Sequence, residues 1–464
     1  MAKNNLAASF RDPSGFLFKI DNTVYRQINS SYREHFDFLL KSGLYKKLTS
    51  EGLLIPHQEA NLSLKQTSRA YKIIKPTQIP FISYPYEWCF SQLKDSALVT
   101  LKIQKIALEH GMTLKDASAF NIQFFEGKPV LIDTLSFEKY KEGEPWVAYK
   151  QFCQHFLATL ALMAYTDFRL SSLFKNYIDG IPLDLTVKLL PFKARLRIPL
   201  FLHLFMHAKS QINYADKQVK KEEIKKSISK TSLLALIDSL ESGVNLLKWK
   251  PAGTEWGDYY PENNNYVSSA LKQKTNLVKA FLNSQKTNSV WDLGGNTGLF
   301  SRLASDQNIP TVSFDIDPDA IEVSYETLKN KKEKFILPLL LDLTNPSPAL
   351  GWDNQERDPI LYRAKVDTIF ALAIIHHLAI SNNVSLENLA SLFAKLCNNL
   401  VVEFIPKEDS QVQKLLATRE DIFPDYTKEG FEKAFANFFL IEKCELIKAS
   451  KRFLYLMRKN GQKE

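Results

Sequence analysis

The stretch that decides the fold runs Ser289-Val290-Trp291-Asp292-Leu293-Gly294-Gly295-Asn296-Thr297-Gly298. Its first half has the apolar, β-favouring character of a buried strand. Its second half puts Gly294, Gly295 and Gly298 within five positions, in a chain of 464 residues that holds only 16 glycines. Glycine adopts positive φ freely and lets other groups come close to the backbone. A helix is expected from Leu299. A strand that feeds a glycine turn and then a helix brings a ligand close to the backbone, near the positive end of the helix dipole.

The residues downstream give that turn its context. A second strand, Thr311-Val312-Ser313-Phe314, ends at Asp315, 23 residues beyond Asp292. An acid at about that distance, at the end of the second strand, suits hydrogen bonding to ribose hydroxyls. A third strand, Ile336 to Leu341, ends at Asp342, and a fourth runs from Val366 to Ala373. The strand candidates 289–293, 310–315, 335–341, 366–373 and 399–405 have helical patterns between most of them, which signals βαβ units and a parallel sheet. The runs 438–447 and 452–458 are separated by a short turn and read as an antiparallel pair closing one sheet edge.

On these residues the second half resembles the class I S-adenosylmethionine-dependent methyltransferases. Their first motif is an acidic residue followed by G-x-G-x-G, and here it stands as D-L-G-G-N-T-G from Asp292. The resemblance implies a Rossmann-like seven-stranded α/β sheet and S-adenosyl-L-methionine as cofactor. Gly294, Gly295 and Gly298 would wrap its methionine part, Asp315 its ribose and Asp342 its adenine amino group. Asp292, Asn296, Leu343 and Ala373 complete the implied cofactor-binding set. Asn296 replaces the middle glycine of the motif, and asparagine tolerates positive φ better than most residues. A nicotinamide-type Rossmann enzyme fits less well, because the G-x-G-x-x-G spacing is not met.

The acceptor side follows the fourth strand, in Ala371-Leu372-Ala373-Ile374-Ile375-His376-His377-Leu378. In the resembled family this segment borders both the sulfonium and the acceptor. Histidine titrates near neutrality, so His376 and His377 are candidates to take a proton as the methyl group transfers. Glu403, at the end of the fifth strand, is a third candidate. Methyl transfer from a sulfonium is an in-line displacement in which positioning supplies much of the effect. No [DNS]-P-P-[YFW] motif follows the fourth strand, which argues against methylation of exocyclic base amines. No Pro-Cys pair lies near it, which argues against a cysteine nucleophile. Cys397 and Cys444 read as buried core residues.

The first half has a different character. Residues 1–250 hold 35 Lys/Arg and 23 Asp/Glu, whereas 251–464 hold 25 and 28. Attraction to an acidic partner therefore belongs mainly to the first half. The hairpin-like runs Phe16–Ile20 and Val24–Ile28 flank Asp21 and Asn22, and a helix is expected from Tyr32 to Leu48. Residues 110–133, HGMTLKDASAFNIQFFEGKPVLID, resemble a fragment of the protein-kinase-like pattern. In that family an Asp and an Asn spaced like Asp116 and Asn121 are base and magnesium ligand, and an Asp placed like Asp133 holds magnesium on ATP. The His-Arg before the first Asp is Leu114-Lys115 here, Asp133 is followed by Thr134-Leu135, and no glycine-rich phosphate loop is found. Lys72 and Lys75 are loose candidates for the ATP lysine. His203 and His207, four apart, lack a nearby third ligand and read as core or surface residues; no metal is expected.

The resulting expectation is an α+β domain with a kinase-like resemblance over 1–210 and a basic helical linker over 211–250. A class I methyltransferase domain follows over 251–464. The acceptor stays unidentified, with a small molecule preferred, then protein, then RNA, and the first domain aids its selection. The alternatives are a kinase-like phosphotransferase and a non-catalytic binding module. The longest apolar run, Phe156 to Tyr165, is about half of the ~20 residues that span a bilayer. The opening residues lack an apolar secretory core, and the four cysteines form no C-x-x-C pair. These features point to a cytoplasmic protein.

Overall fold

Asp21 and Asn22 take positive φ, 46° and 62°, and close a hairpin of β1 (Gly15–Ile20) and β2 (Thr23–Asn29). The computed structural model describes residues 5–210, 228–251, 253, 268–417 and 419–461. The chain divides into two compact units, Met1–Lys250 with Ala349–Arg357, and Pro251–Pro348 with Asp358–Glu464.

In the first unit the hairpin extends through β4 (Ala70–Pro76) to β3 (His57–Ala60), giving an antiparallel sheet of order β1-β2-β4-β3. The helix expected over 32–48 is two helices, Arg33–Lys41 and Leu44–Ser50, parted by Gly43 at φ 81°. A twenty-residue helix, Phe90–Glu109, leads into β5 (Met112–Leu114), which pairs with β8 (Phe137–Lys139). Between them β6 (Ile122–Phe125) and β7 (Lys128–Leu131) form a hairpin over Glu126 and Gly127, both at positive φ.

Part of the expected linker is built into this unit. Residues 211–227 lie outside the described residues. Lys230–Leu246, however, is a helix that buries Leu233, Ile237, Leu240 and Val244, and Lys94 Nζ donates to the carbonyl of Leu247 at 2.8 Å. An apolar stripe at helical spacing sits beside the charge run, and the stripe decides the packing.

The nine residues Ala349–Arg357 also belong to the first unit, although the second flanks them in sequence. They fold back on themselves through a bridge between Leu350 and Arg357. The buried Glu356 carboxylate accepts both from the Arg11 guanidinium and from the backbone N–H of Trp352. Arg357 lies over the Phe120 ring, 4.2 Å from its centroid.

The second unit is a sheet with helices. Its strands are β9 (Val290–Leu293), β10 (Thr311–Asp315), β11 (Ile336–Leu340), β12 (Val366–Ala371), β13 (Cys397–Phe404), β14 (Phe439–Leu446) and β15 (Phe453–Lys459). Their order is β11-β10-β9-β12-β13-β15-β14. β15 runs antiparallel to both neighbours, and the other pairings are parallel. This is the Rossmann-like seven-stranded α/β sheet expected from the sequence, including the antiparallel closing pair. On one face Val278, Phe281 and Leu282 of the helix Ser268–Asn283 join Val290, Phe370, Val401 and Leu454 in one apolar cluster.

Cys397 is buried as expected, but Cys444 is exposed. It lies on β14, an edge strand whose residues after Phe439 are largely open to solvent.

Candidate functional site

The strand order reverses between the parallel neighbours β9 and β12: β10 and β11 build outward on one side, β13 on the other. A crevice at the carboxyl ends of the strands is expected at such a switch point. A cavity of about 350 Å³ lies there, lined by residues from the loops after β9, β10, β11 and β12. Every member of the expected cofactor-binding set except Gly298 lines it, as do His376 and His377.

The glycine turn is held from several sides. The N–H groups of Gly294 and Gly295 both donate to the Phe314 carbonyl at 2.9 Å, tying the turn to β10. Gly294 sits at φ +77°, and a Cβ on Gly295 would lie 2.4 Å from Ser313 Oγ. Gly298, at φ +85°, underlies the turn, and Arg302 clamps it by donating to the Thr297 carbonyl at 2.6 Å while pairing with Glu333. Asn296 adopts φ 51°, the positive value for which asparagine is suited. Its N–H donates to Asp315 Oδ2 at 2.8 Å, and its own Oδ1 accepts from Thr297 N–H. The helix that follows begins at Ser301 rather than Leu299 and has only five residues, because turns occupy 296–300.

The acids divide by role. Asp292 is buried beneath the turn, where Ser301 Oγ donates to it at 2.7 Å. Burial raises its pKa to about 6, against the opposing effects of Ser301 and Lys274. Asp315 lies at the cavity, fixed by the N–H groups of Asn296 and, at 2.9 Å, Asp317. Burial raises it to about 6 as well. Asp342 accepts from Thr344 N–H at 2.8 Å and from the Thr344 hydroxyl. Ile316, next to Asp315, lines the cavity yet is 63 % exposed. Ala373, on the opposite wall, is at φ 54°, an uncommon conformation for a residue with a Cβ.

His376 is buried, its ring 4.1 Å from that of His377, and its Nδ1 has no hydrogen-bond partner among the described residues. Burial holds its pKa well below the usual histidine range, helped by the charges of His377, Arg452 and Lys274. The imidazole is therefore neutral near pH 7. His377 is half-buried at the cavity wall.

Glu403 does not reach the cavity wall. It is fully buried and accepts from Lys274 Nζ at 2.7 Å, with Arg452 3.8 Å away. Arg452 in turn makes a two-pronged bond to Asp409 at 2.8 and 3.1 Å. The two cations line the cavity, and Glu403 stands behind them. Burial lowers the Lys274 pKa against the pull of Glu403. Neither Lys274 nor Arg452 is marked by a motif, so sequence reasoning missed both.

In the first unit Asp116, Asn121 and Asp133 do come together. Burial and the charge of Asp133 raise the Asp116 pKa, while Ser118, Gln151 and Asn121 lower it. Asn121 Nδ2 donates to Ser136 Oγ, which donates to Asp133. Asp133 is also held by Arg26 at 2.9 Å, and the same guanidinium pairs with Asp12 at 2.8 Å. Lys72 pairs instead with Glu59, and Lys75 is exposed. His203 bonds to Tyr149 and Ser239, and His207 stacks on Tyr149. Among the described residues no group of three potential metal ligands occurs.

No family model matches the chain. The chain is similar to the nodulation protein NoeA of Rhizobium meliloti (strain 1021), at 34% identity over 466 residues, covering 98% of this chain and 96% of that protein. Among solved structures it is similar to the N-methyltransferase NodS from Bradyrhizobium japonicum WM9 in complex with S-adenosyl-L-homocysteine. That likeness has 14% identity, 45% of this chain, 95% of that one and a TM-score of 0.33. It is also similar to the magnesium protoporphyrin IX methyltransferase ChlM from Synechocystis PCC 6803 with bound S-adenosylmethionine, at 16% identity, 45% of this chain, all of that one and a TM-score of 0.31. With a relative 34% identical across almost the whole of both chains, this chain belongs to the family of the nodulation protein NoeA.

Proposed function

We propose that the second unit binds S-adenosyl-L-methionine and transfers its methyl group to an acceptor, a small molecule before a protein or an RNA. The observation that carries this reading is the cavity at the switch point, where the positive-φ turn at Gly294 and the carboxylates of Asp315 and Asp342 meet. The residues fit the cofactor. Asp315 and Asp342 supply acceptors for hydroxyl and amine donors, and Ile316, Phe314 and Leu341 supply apolar surface beside them. When bound, the cofactor supplies an electrophilic methyl on a sulfonium.

The chain's own part is mostly positioning. Gly294 and Gly295 bring backbone to the cavity, and Ala373 and His377 border the place where an acceptor would enter. His377 takes up an acceptor proton; His376, neutral and enclosed, orients it. Glu403 acts through Lys274 and Arg452 rather than on the acceptor. The phosphotransferase alternative draws no support from the first unit, where Arg26 holds the carboxylate that would hold magnesium.

Calorimetric titration of the full chain with S-adenosylmethionine is expected to show one site per chain, and no heat of binding would end this reading. His377→Ala is expected to lower the rate constant for turnover by about 10²-fold with cofactor affinity unchanged. A variant that lost affinity and kept its turnover would reassign the residue.

The Asp315 carboxyl also sets a pH dependence. A carboxyl raised to about 6 is protonated below that pH and loses acceptor capacity. Cofactor affinity should therefore fall by up to about tenfold per pH unit below 6. Stability runs the other way. The contribution of this group is fully present below its unfolded value near 3.8 and is lost as pH rises through about 6. Titrations and thermal melts between these limits should show opposite slopes.

A further inference from the structure

Residues 191–206 of the first unit present an apolar surface set among cations. Pro191 precedes a short helix, Phe192–Arg195, and after the break at Leu196-Arg197 a second helix runs on from Ile198 through Met206, with Pro199 in its first turn. Ala194, Leu200, Leu204 and Phe205 turn inward and are buried. Phe192, Leu196 and Ile198 turn outward and are 69 to 73 % exposed, and Phe201, Leu202 and Met206 are also exposed. Single exposed apolar side chains are ordinary; six within fifteen positions call for a partner.

The charges say what kind. Lys188, Lys193, Arg195, Arg197 and Lys209 lie in or beside the stretch, and no Asp or Glu occurs from 185 to 215. None of the five cations forms an ion pair among the described residues. Lys193 rests over the Tyr165 ring at 5.7 Å and Arg195 over Phe205 at 5.1 Å. Their stems therefore lie on apolar ground, and both residues remain exposed. A protein partner would favour an apolar core depleted of lysine. A bilayer interface takes both sets at once, apolar side chains into the acyl boundary and cations onto the phosphates.

We infer that this face adsorbs to membranes containing anionic phospholipid, with Phe192, Leu196 and Ile198 as the inserting side chains and Arg195 and Arg197 as headgroup contacts. The contact is peripheral: no helix among the described residues is long and apolar enough to cross a membrane. It is independent of the methyl-transfer reading, because it uses no residue of the cavity.

The test is sedimentation of the full chain with phosphatidylcholine vesicles, with and without phosphatidylglycerol. Binding is expected to be at least about tenfold stronger with the anionic lipid. Phe192→Ser with Ile198→Ser should reduce it by at least about tenfold with the thermal melt unchanged. Arg195→Glu with Arg197→Glu should abolish the lipid preference, which keeps the test decisive if the serine variant folds poorly. The inference is overturned if the wild type stays in the supernatant with anionic vesicles, or if both variants pellet as it does. Self-association removed by the serine variant, without vesicle binding, would assign the face to a second copy of the chain and overturn it too.

Discussion

Asp315→Ala is expected to weaken S-adenosylmethionine binding by about a hundredfold or more. A carboxylate accepting from two ribose hydroxyls makes charge-assisted hydrogen bonds worth about 1.5–3 kcal/mol each, and 2.7 kcal/mol is about a hundredfold in affinity. The loss extends beyond the ligand. Asp315 also accepts from the N–H groups of Asn296 and Asp317, so alanine releases the glycine turn and the next loop together. Asp315→Asn keeps the shape and one oxygen, and should fall between alanine and wild type. Titration calorimetry reads both, with circular dichroism as the fold control. An alanine variant binding within threefold of wild type would remove Asp315 from the ribose site.

Glu403→Ala should cost stability more than any other substitution in the second unit. It removes the carboxylate between Lys274 and Arg452, both almost wholly buried. Breaking a buried pair from one side typically costs 3–5 kcal/mol, because the remaining charge has lost its compensation. Arg452 still has Asp409, so most of the loss falls on Lys274. The double variant Lys274→Met with Glu403→Leu should recover most of the stability, since apolar replacement of a buried pair is often neutral. Urea denaturation separates the cases. A Glu403→Ala midpoint equal to wild type would show that the pair contributes nothing to the fold.

β9, β10 and β11 were readable because each announces itself twice, by apolar composition and by the glycine or acid that ends it, whereas β12 shows the composition alone. β9 and β10 fall within one residue of their expected starts, and Asn296 takes the backbone conformation that its place in the glycine motif requires. Glu403 shows the limit. Apart from Asn398, every residue of β13 is buried, so hydropathy does not say which side of the strand a residue faces. Its partners Lys274 and Arg452 are brought to it only when the helix Ser268–Asn283 and β15 pack against the sheet. Likewise, Ala349–Arg357 sits among Pro346, Pro348, Gly351 and Pro359 and reads as an ordinary loop. Its place in the first unit depends on Arg11, 345 positions from Glu356.

That nine-residue segment bears on how such a chain can be inherited. Its ends are covalently continuous with β11 and β12, while its carboxylate is held by an arginine near the opposite end of the chain. A gene fragment ending at Lys250 would encode Arg11 without Glu356, and the complementary fragment would strand a carboxylate built to be buried. A single recombination point between the two units therefore parts Arg11 from the carboxylate that it holds.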